Sequence, residues 1–183
     1  MSTVWAHLNE SPSVPLRIFG GKMKKVGIIM GSDSDLPVVK KATDMLTQLG
    51  VPFEAHIYSA HRTPAEAAEF SKNARENGFG VIIAFAGMAA HLAGAIAANT
   101  TLPVIGVPCG GGAFNGFDAL LSTVQMPTGI PVATVAVGGG GNAALLAAEI
   151  IAVEDEKLQA KLDEKRKKDA EAVLAKDAAL NLE

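Results

Sequence analysis

A chain of 183 residues with 49% hydrophobic composition is long and apolar enough for one globular domain with a sizeable core. Its formal net charge of −3 excludes a strong electrostatic pull toward nucleic acid or anionic membrane, and no apolar run approaches the ~20 residues of a spanning helix. A single cysteine, Cys109, excludes an internal disulfide framework, and with these features the chain reads as cytoplasmic.

Residues 1–22 hold Ser11-Pro12-Ser13-Val14-Pro15 and the only tryptophan, Trp5, without the apolar core of a signal peptide, and read as an extension outside the fold. Residues 23–153 read as an α/β domain. Val26 to Met30 is a buried strand, broken by Gly31-Ser32-Asp33-Ser34-Asp35. Leu36 to Leu49 predicts a helix: Val39, Ala42, Met45, Leu46 and Leu49 recur at helical spacing and Gly50 stands at the stop. Phe53 to Tyr58 is the second strand. Ala65 to Asn77 is the second helix, with Thr63 as its cap, Pro64 as its first residue and Gly78 as its stop. Val81 to Phe85 is a third strand, apolar on both faces, followed by a small-residue helix over 89–98. Val104 to Val107 and Val132 to Val137 are the fourth and fifth strands, with a helix from Phe117 to Val124 between them.

A further small-residue helix starts near Asn142. Such helices allow close backbone approach, inside the domain or at a subunit interface. Strands alternating with helices predict a three-layer sandwich around a parallel sheet of five strands, flavodoxin-like or Rossmann-like. From Glu154 to Lys168, 11 of 15 residues are charged, and residues 154–183 read as a long helical tail with sparse apolar positions at Leu158, Leu162, Val173 and Leu174. That stripe is too narrow to fold alone. The tail is either solvated or laid on a neighbouring subunit, and we expect the second.

Every polar cluster or Gly-rich loop falls after a strand: Ser32 and Asp35, then Ser59, His61 and Arg62, then Gly87 to His91, then Gly110 to Gly116, then Gly138 to Asn142. The carboxyl edge of an open α/β sheet is where ligands bind. The Ser/Asp turn suits a phosphate at a helix start, or is simply a cap. Its glycine spacing is neither a Walker loop nor a dinucleotide fingerprint. In Ser59-Ala60-His61-Arg62-Thr63-Pro64 one residue offers a hydroxyl, one a proton carrier near neutral pH and one a forked cation. The ordinary alternative is a locally satisfied His61 with Arg62 paired to Glu66. His91 stands among Gly and Ala, either as a core or capping histidine or as part of the same site. His56 lies inside the second strand and need not converge with His61. No zinc-ligand spacing is present, so no metal is expected. Cys109 reads as a small buried residue rather than a nucleophile.

With those residues in place, the chain closely resembles the class I N5-carboxyaminoimidazole ribonucleotide mutases, the phosphoribosylaminoimidazole carboxylase catalytic subunit family. The matching stretches are Met30 to Asp35, Ser59 to Pro64, Ala89-Ala90-His91-Leu92, Val124-Gln125-Met126-Pro127 and Asn142 to Ala147. The resemblance implies a homo-octamer with active sites at subunit junctions. It implies a mutase of de novo purine biosynthesis that moves a carboxylate within one ribonucleotide, without metal, ATP or organic cofactor. It also implies roles: His61 carries the proton and His91 lines the carboxylate pocket. Ser32, Asp35, Ser59 and Arg62 hold the ribose phosphate. On physical grounds, the backbone N–H groups around Gly87, Ala89 and Ala90 could steady the carboxylate. Met88 stands where the family commonly has a second glycine, Ala93 where it often has proline, and Thr128 where Arg or Ser often follows Met-Pro. Two alternatives stand beside this reading: a sister class that carboxylates aminoimidazole ribonucleotide with free CO2, which usually carries Lys at the position of Arg62, and a non-enzymatic nucleotide-binding module.

Overall fold

The three central strands form where β-branched residues recur and helices cover both faces. β1 (Lys25–Met30), β3 (Phe79–Gly87) and β4 (Val104–Cys109) are apolar on both faces and almost wholly buried. The structure, a computed structural model, describes residues 23–181, and the extension expected over residues 1–22 lies outside them. With β2 (Phe53–Ile57) and β5 (Ala133–Thr134), the strands form one parallel sheet in the order β2-β1-β3-β4-β5. This is the flavodoxin-like doubly wound order, in which the direction of winding reverses between β1 and β3. Among the described residues no helix is long and apolar enough to cross a membrane.

Alternate strand residues face opposite layers. Val26, Ile28 and Met30 join Val81, Ile83, Phe85, Ile105 and Val107 in one core, covered by α1 (Leu36–Leu49) and α5 (Gly140–Ala152). Ile29, Ile82, Ala84 and Val104 join α3 (Leu92–Ala97) in the other, where Phe70 of α2 (Pro64–Asn73) packs. α4 (Phe117–Val124) lies on that second side, because its Thr123 and the Ala93 of α3 both crowd Gly106 of β4.

Small residues set how closely α5 and α1 approach. Ala143, Ala144, Ala147 and Ala148 are fully buried, and a Cβ on Gly140 would overlap the Val38 carbonyl and come within 3.4 Å of the Ala42 amide nitrogen. α1 ends as its sequence predicts, with Gly50 at φ +70° in the left-handed cap.

Three expected elements differ. α2 stops at Asn73 rather than Asn77, because β3 begins at Phe79 and the chain must turn into the sheet; Phe79 N–H donates to Ala74 O at 3.0 Å. α3 starts only at Leu92, since residues 88–91 form tight turns in which Ala90 N–H donates to Met88 O and His91 N–H to Ala89 O, each at 2.8 Å. β5 pairs over Ala133–Thr134 alone instead of Val132 to Val137. It is an edge strand, and past Val135 the chain bends so that Gly138 N–H donates to Pro108 O at 2.8 Å.

α6 (Glu156–Ala178) is the charged tail helix. The Asp155 carboxylate caps it by accepting from Leu158 N–H at 3.0 Å. Leu158 and Leu162 are buried in the α1/α5 core, and Lys161 donates to Leu49 O at 2.8 Å, a cation on the carboxyl end of α1. Arg166 pairs with Glu149 at 2.6 Å. The first half of the helix therefore packs on its own subunit. Beyond it Val173 and Leu174 stand 64% and 67% exposed.

The α1/α5 contact gives a direct test. Gly140→Ala forces backbone apart and is expected to destabilise the protein by about 1–3 kcal/mol, read from urea melts. A midpoint unchanged from the parent would contradict the packing described.

Candidate active site

The end of β1 is tied to both of its neighbours. Gly31 N–H donates to Phe85 O of β3 at 3.0 Å, and Tyr58 N–H, just past β2, donates to Met30 O at 3.0 Å. Ser32 and Asp35 then cap the short 3-10 turn Asp33–Asp35 reciprocally. Ser34 N–H donates to Ser32 Oγ at 3.3 Å and Ser32 N–H to Asp35 Oδ2 at 3.2 Å. The capping reading of this turn is thus realised, and it leaves the Asp35 carboxylate buried at the strand edge.

Burial pushes the Asp35 carboxyl above its ordinary range and the nearby Asp33 charge adds to this, while hydrogen bonds from the Cys109 thiol and the Ser32 and Gly31 amides partly offset it. Cys109, at the end of β4, is pushed up to about 12, first by burial and then by the Asp35 charge. It is neutral and no thiolate nucleophile, and its S–H donates to Val107 O at 3.7 Å. Sequence reading missed its partnership with Asp35. The two are 74 positions apart and meet only because β1, β3 and β4 are adjacent, with Cys109 in register with Gly87.

The β2–α2 loop is locked from within. Ser59 Oγ accepts from the amides of His61 at 3.3 Å and Arg62 at 3.2 Å. Thr63 occupies the cap position of α2, yet its hydroxyl accepts from Ser59 N–H at 2.8 Å and donates to Ser59 O at 3.2 Å, so it does not cap the helix amides as expected. Pro64 does open α2. Arg62 ignores Glu66 and donates from Nη2 to Gly31 O at 3.0 Å, joining this loop to the end of β1.

Across β1 stands the β3–α3 turn. Met88 holds φ +53° and is 67% exposed, a backbone state that glycine adopts without strain, which accounts for the glycine the resemblance leads one to expect there. Ala89 is exposed and Ala90 buried, with the Ala90 amide spent on Met88 O. The turn delivers His91 so that its Nδ1 lies 2.9 Å from His61 Nε2, the rings nearly perpendicular at 79°. The structure therefore gathers Ser32, Asp35, Ser59, His61, Arg62, Gly87 and His91 at one edge, over the winding reversal between β1 and β3. His56 stays out of it: its ring pairs with Glu54 at 2.9 Å and stacks on Tyr58.

Fold and site define a flavodoxin-like α/β enzyme with paired histidines at the carboxyl edge of its sheet. Residues 25–172 match the family model described as AIR carboxylase, and the chain belongs to that family. It is 57% identical over 152 residues to the N5-carboxyaminoimidazole ribonucleotide mutase of Pyrococcus horikoshii, covering 80% of this chain and 86% of that one. It is 56% identical over 151 residues to the protein of the same name from Bacillus subtilis, covering 81% and 93%. The crystal structure of Treponema denticola PurE superimposes with a TM-score of 0.76 at 28% identity, covering 85% of this chain and 98% of that one.

Asp35 makes a prediction with a definite sign. Its folded-state pKa lies above the ordinary value of 3.8, so the folded protein binds that proton more tightly. The contribution of Asp35 to stability then declines as pH rises from the unfolded value through the folded one. Asp35→Asn removes the decline. Its Tm relative to the parent should grow between pH 4 and pH 8 in thermal melts, and a difference that shrinks over that range refutes the assignment.

Proposed function

We propose that this protein converts N5-carboxyaminoimidazole ribonucleotide to 4-carboxy-5-aminoimidazole ribonucleotide in de novo purine biosynthesis, releasing CO2 and recapturing it in one closed pocket. The observation that carries the reading is the 2.9 Å contact between His61 and His91, beside Arg62, in a chain this similar to proteins bearing the mutase name. Simple phosphate binding needs no pair of imidazoles.

The groups suit the chemistry. Ser59 Oγ accepts two amide hydrogens and keeps its own hydrogen to donate to a phosphate oxygen. Arg62 can exchange the Gly31 carbonyl for that phosphate, where a charge-assisted bond is stronger. Ser32 completes the phosphate site, and Asp35 accepts from ribose hydroxyls. An imidazolium at His61 protonates the carbamate nitrogen, the N–C bond breaks and CO2 is freed. C4 of the aminoimidazole then attacks that CO2, and the C4 proton returns to His61, so the enzyme ends as it began. His91 lines the carboxylate pocket. Backbone amides of Gly87 and Ala89 steady the carboxylate, while Ala90 contributes shape, since its amide is engaged in the turn. No metal, ATP or organic cofactor takes part in this scheme.

CO2 is retained only in a dry, closed cavity, yet His61 and His91 are both exposed in the single subunit. We therefore infer a homo-oligomer, an octamer by resemblance, whose neighbouring subunits close each site. The exposed apolar side chains Phe114, Phe117, Leu121 and Val124 along and before α4 support this. The exposed second half of α6 would lie on a neighbour in the same assembly.

Two measurements test the reading. Conversion of the carbamate nucleotide without added bicarbonate is expected; bicarbonate-dependent carboxylation of aminoimidazole ribonucleotide would indicate the free-CO2 reaction instead, and binding without turnover a non-enzymatic module. His61→Asn should lower kcat by a hundredfold or more, at or beyond the usual ~10²–10⁴ of acid–base catalysis, while calorimetry still shows nucleotide binding. For the assembly, Phe117→Glu with Leu121→Glu should shift the protein to a smaller species in light scattering and abolish turnover. An unchanged mass would remove α4 from the interface.

A further inference from the structure

The His61 Nε2 to His91 Nδ1 separation of 2.9 Å is a hydrogen bond with room for one hydrogen. Two arrangements satisfy it. In the first, His91 donates from Nδ1 and neutral His61 keeps its own hydrogen on Nδ1. Protonating His61 then sets two N–H groups face to face, so the imidazolium forms only if the pair separates or His91 changes tautomer. In the second, His61 donates from Nε2. Its Nδ1 alone then gains and loses the proton, and the contact with His91 is the same in both states. Only the second lets His61 give up a proton and take it back while one CO2 molecule is held.

We propose that His91 is a positioning residue that accepts from His61 Nε2 in both protonation states, which makes Nδ1 of His61 the reacting atom. The proposal rests on the proton-carrier role given to His61 above. Both rings ride on fixed backbone. The His61 amide donates to Ser59 Oγ, while the His91 amide donates to Ala89 O and its carbonyl accepts from Ala95 N–H at 2.9 Å. No described residue bonds to His61 Nδ1, which leaves that atom to the substrate. In this arrangement the single hydrogen of neutral His91 sits on Nε2, away from His61. The other titratable or charged groups at this edge are Asp33 and Asp35 after β1, Arg62 beside His61 and the neutral Cys109 thiol after β4.

The test separates tautomer from turnover. Magic-angle-spinning 15N NMR of the full-length protein labelled at histidine should show neutral His61 protonated on Nε2, with a mixture of tautomers in His91→Ala. In activity assays His91→Ala should lower kcat by about a hundredfold or more, since loss of the group that fixes a catalytic histidine's tautomer costs up to ~10⁴, with little change in KM. His91→Asn places a carboxamide oxygen near the position of Nδ1 and should recover at least tenfold of that loss without a shift of the pH–rate profile. Neutral His61 found protonated on Nδ1, or an Asn variant as slow as the Ala variant, overturns the proposal. A protein with no mutase turnover overturns the proposed function instead, and the NMR result still decides the tautomer.

Discussion

The backbone of Gly31 is the point on which the site depends. Its amide is donated to Phe85 of β3 and its carbonyl receives the Arg62 guanidinium from the β2–α2 loop. One peptide unit at the end of β1 thereby holds the flanking loops at the separation where two imidazoles meet. The sheet order makes this possible. β1 lies between β2 and β3, and the chain leaves β1 in one direction and returns on the other side, so the loops part over its end instead of covering it. The crevice is a product of topology, and the polar residues are those the sequence happens to place at its rim.

Stability and chemistry pull against each other at that rim. Asp35 and Cys109 put a carboxyl and a thiol in a buried contact where an apolar pair would cost nothing in desolvation. Met88 takes a left-handed backbone state that any side chain resists. The interior below is mainly apolar, and its buried Ser71 and Thr123 hydroxyls donate to carbonyls of their own helices. Its two layers are mostly Val, Ile, Leu and Ala with Phe79, Phe85 and Met30, and α5 meets α1 through alanines and one glycine. A rigid, cheaply packed sheet is what allows strained and desolvated groups to persist at its edge.

The surface is less finished than the interior. β2 is an exposed edge strand and α4 turns Phe117 and Leu121 outward, while the last half of α6 extends past the body that anchors its start. These features, with the His61–His91 pair open to water, are the surfaces that the proposed assembly of identical subunits would cover. The buried seat of Leu158 and Leu162 fixes the projecting helix at its root.

Local signals were sufficient for much of the chain. Helical spacing with a glycine stop defined Leu36–Leu49, and short apolar runs marked the central strands, each to within a few residues. Where the structure differs, a neighbour outweighed propensity: β3 cut α2 short, the turn that presents His91 delayed α3, and the missing partner beyond the sheet edge shortened β5. By itself the sequence determined the alternation of strands and helices, the layered class and the edge on which chemistry would gather, because those follow from periodicity and from which residues end each strand. Only the tertiary structure decided that His61 meets His91, that Arg62 reaches Gly31 instead of Glu66, and that Cys109 comes near Asp35. Those contacts span 30, 31 and 74 positions, and no local rule acts over such distances; strand order and register do.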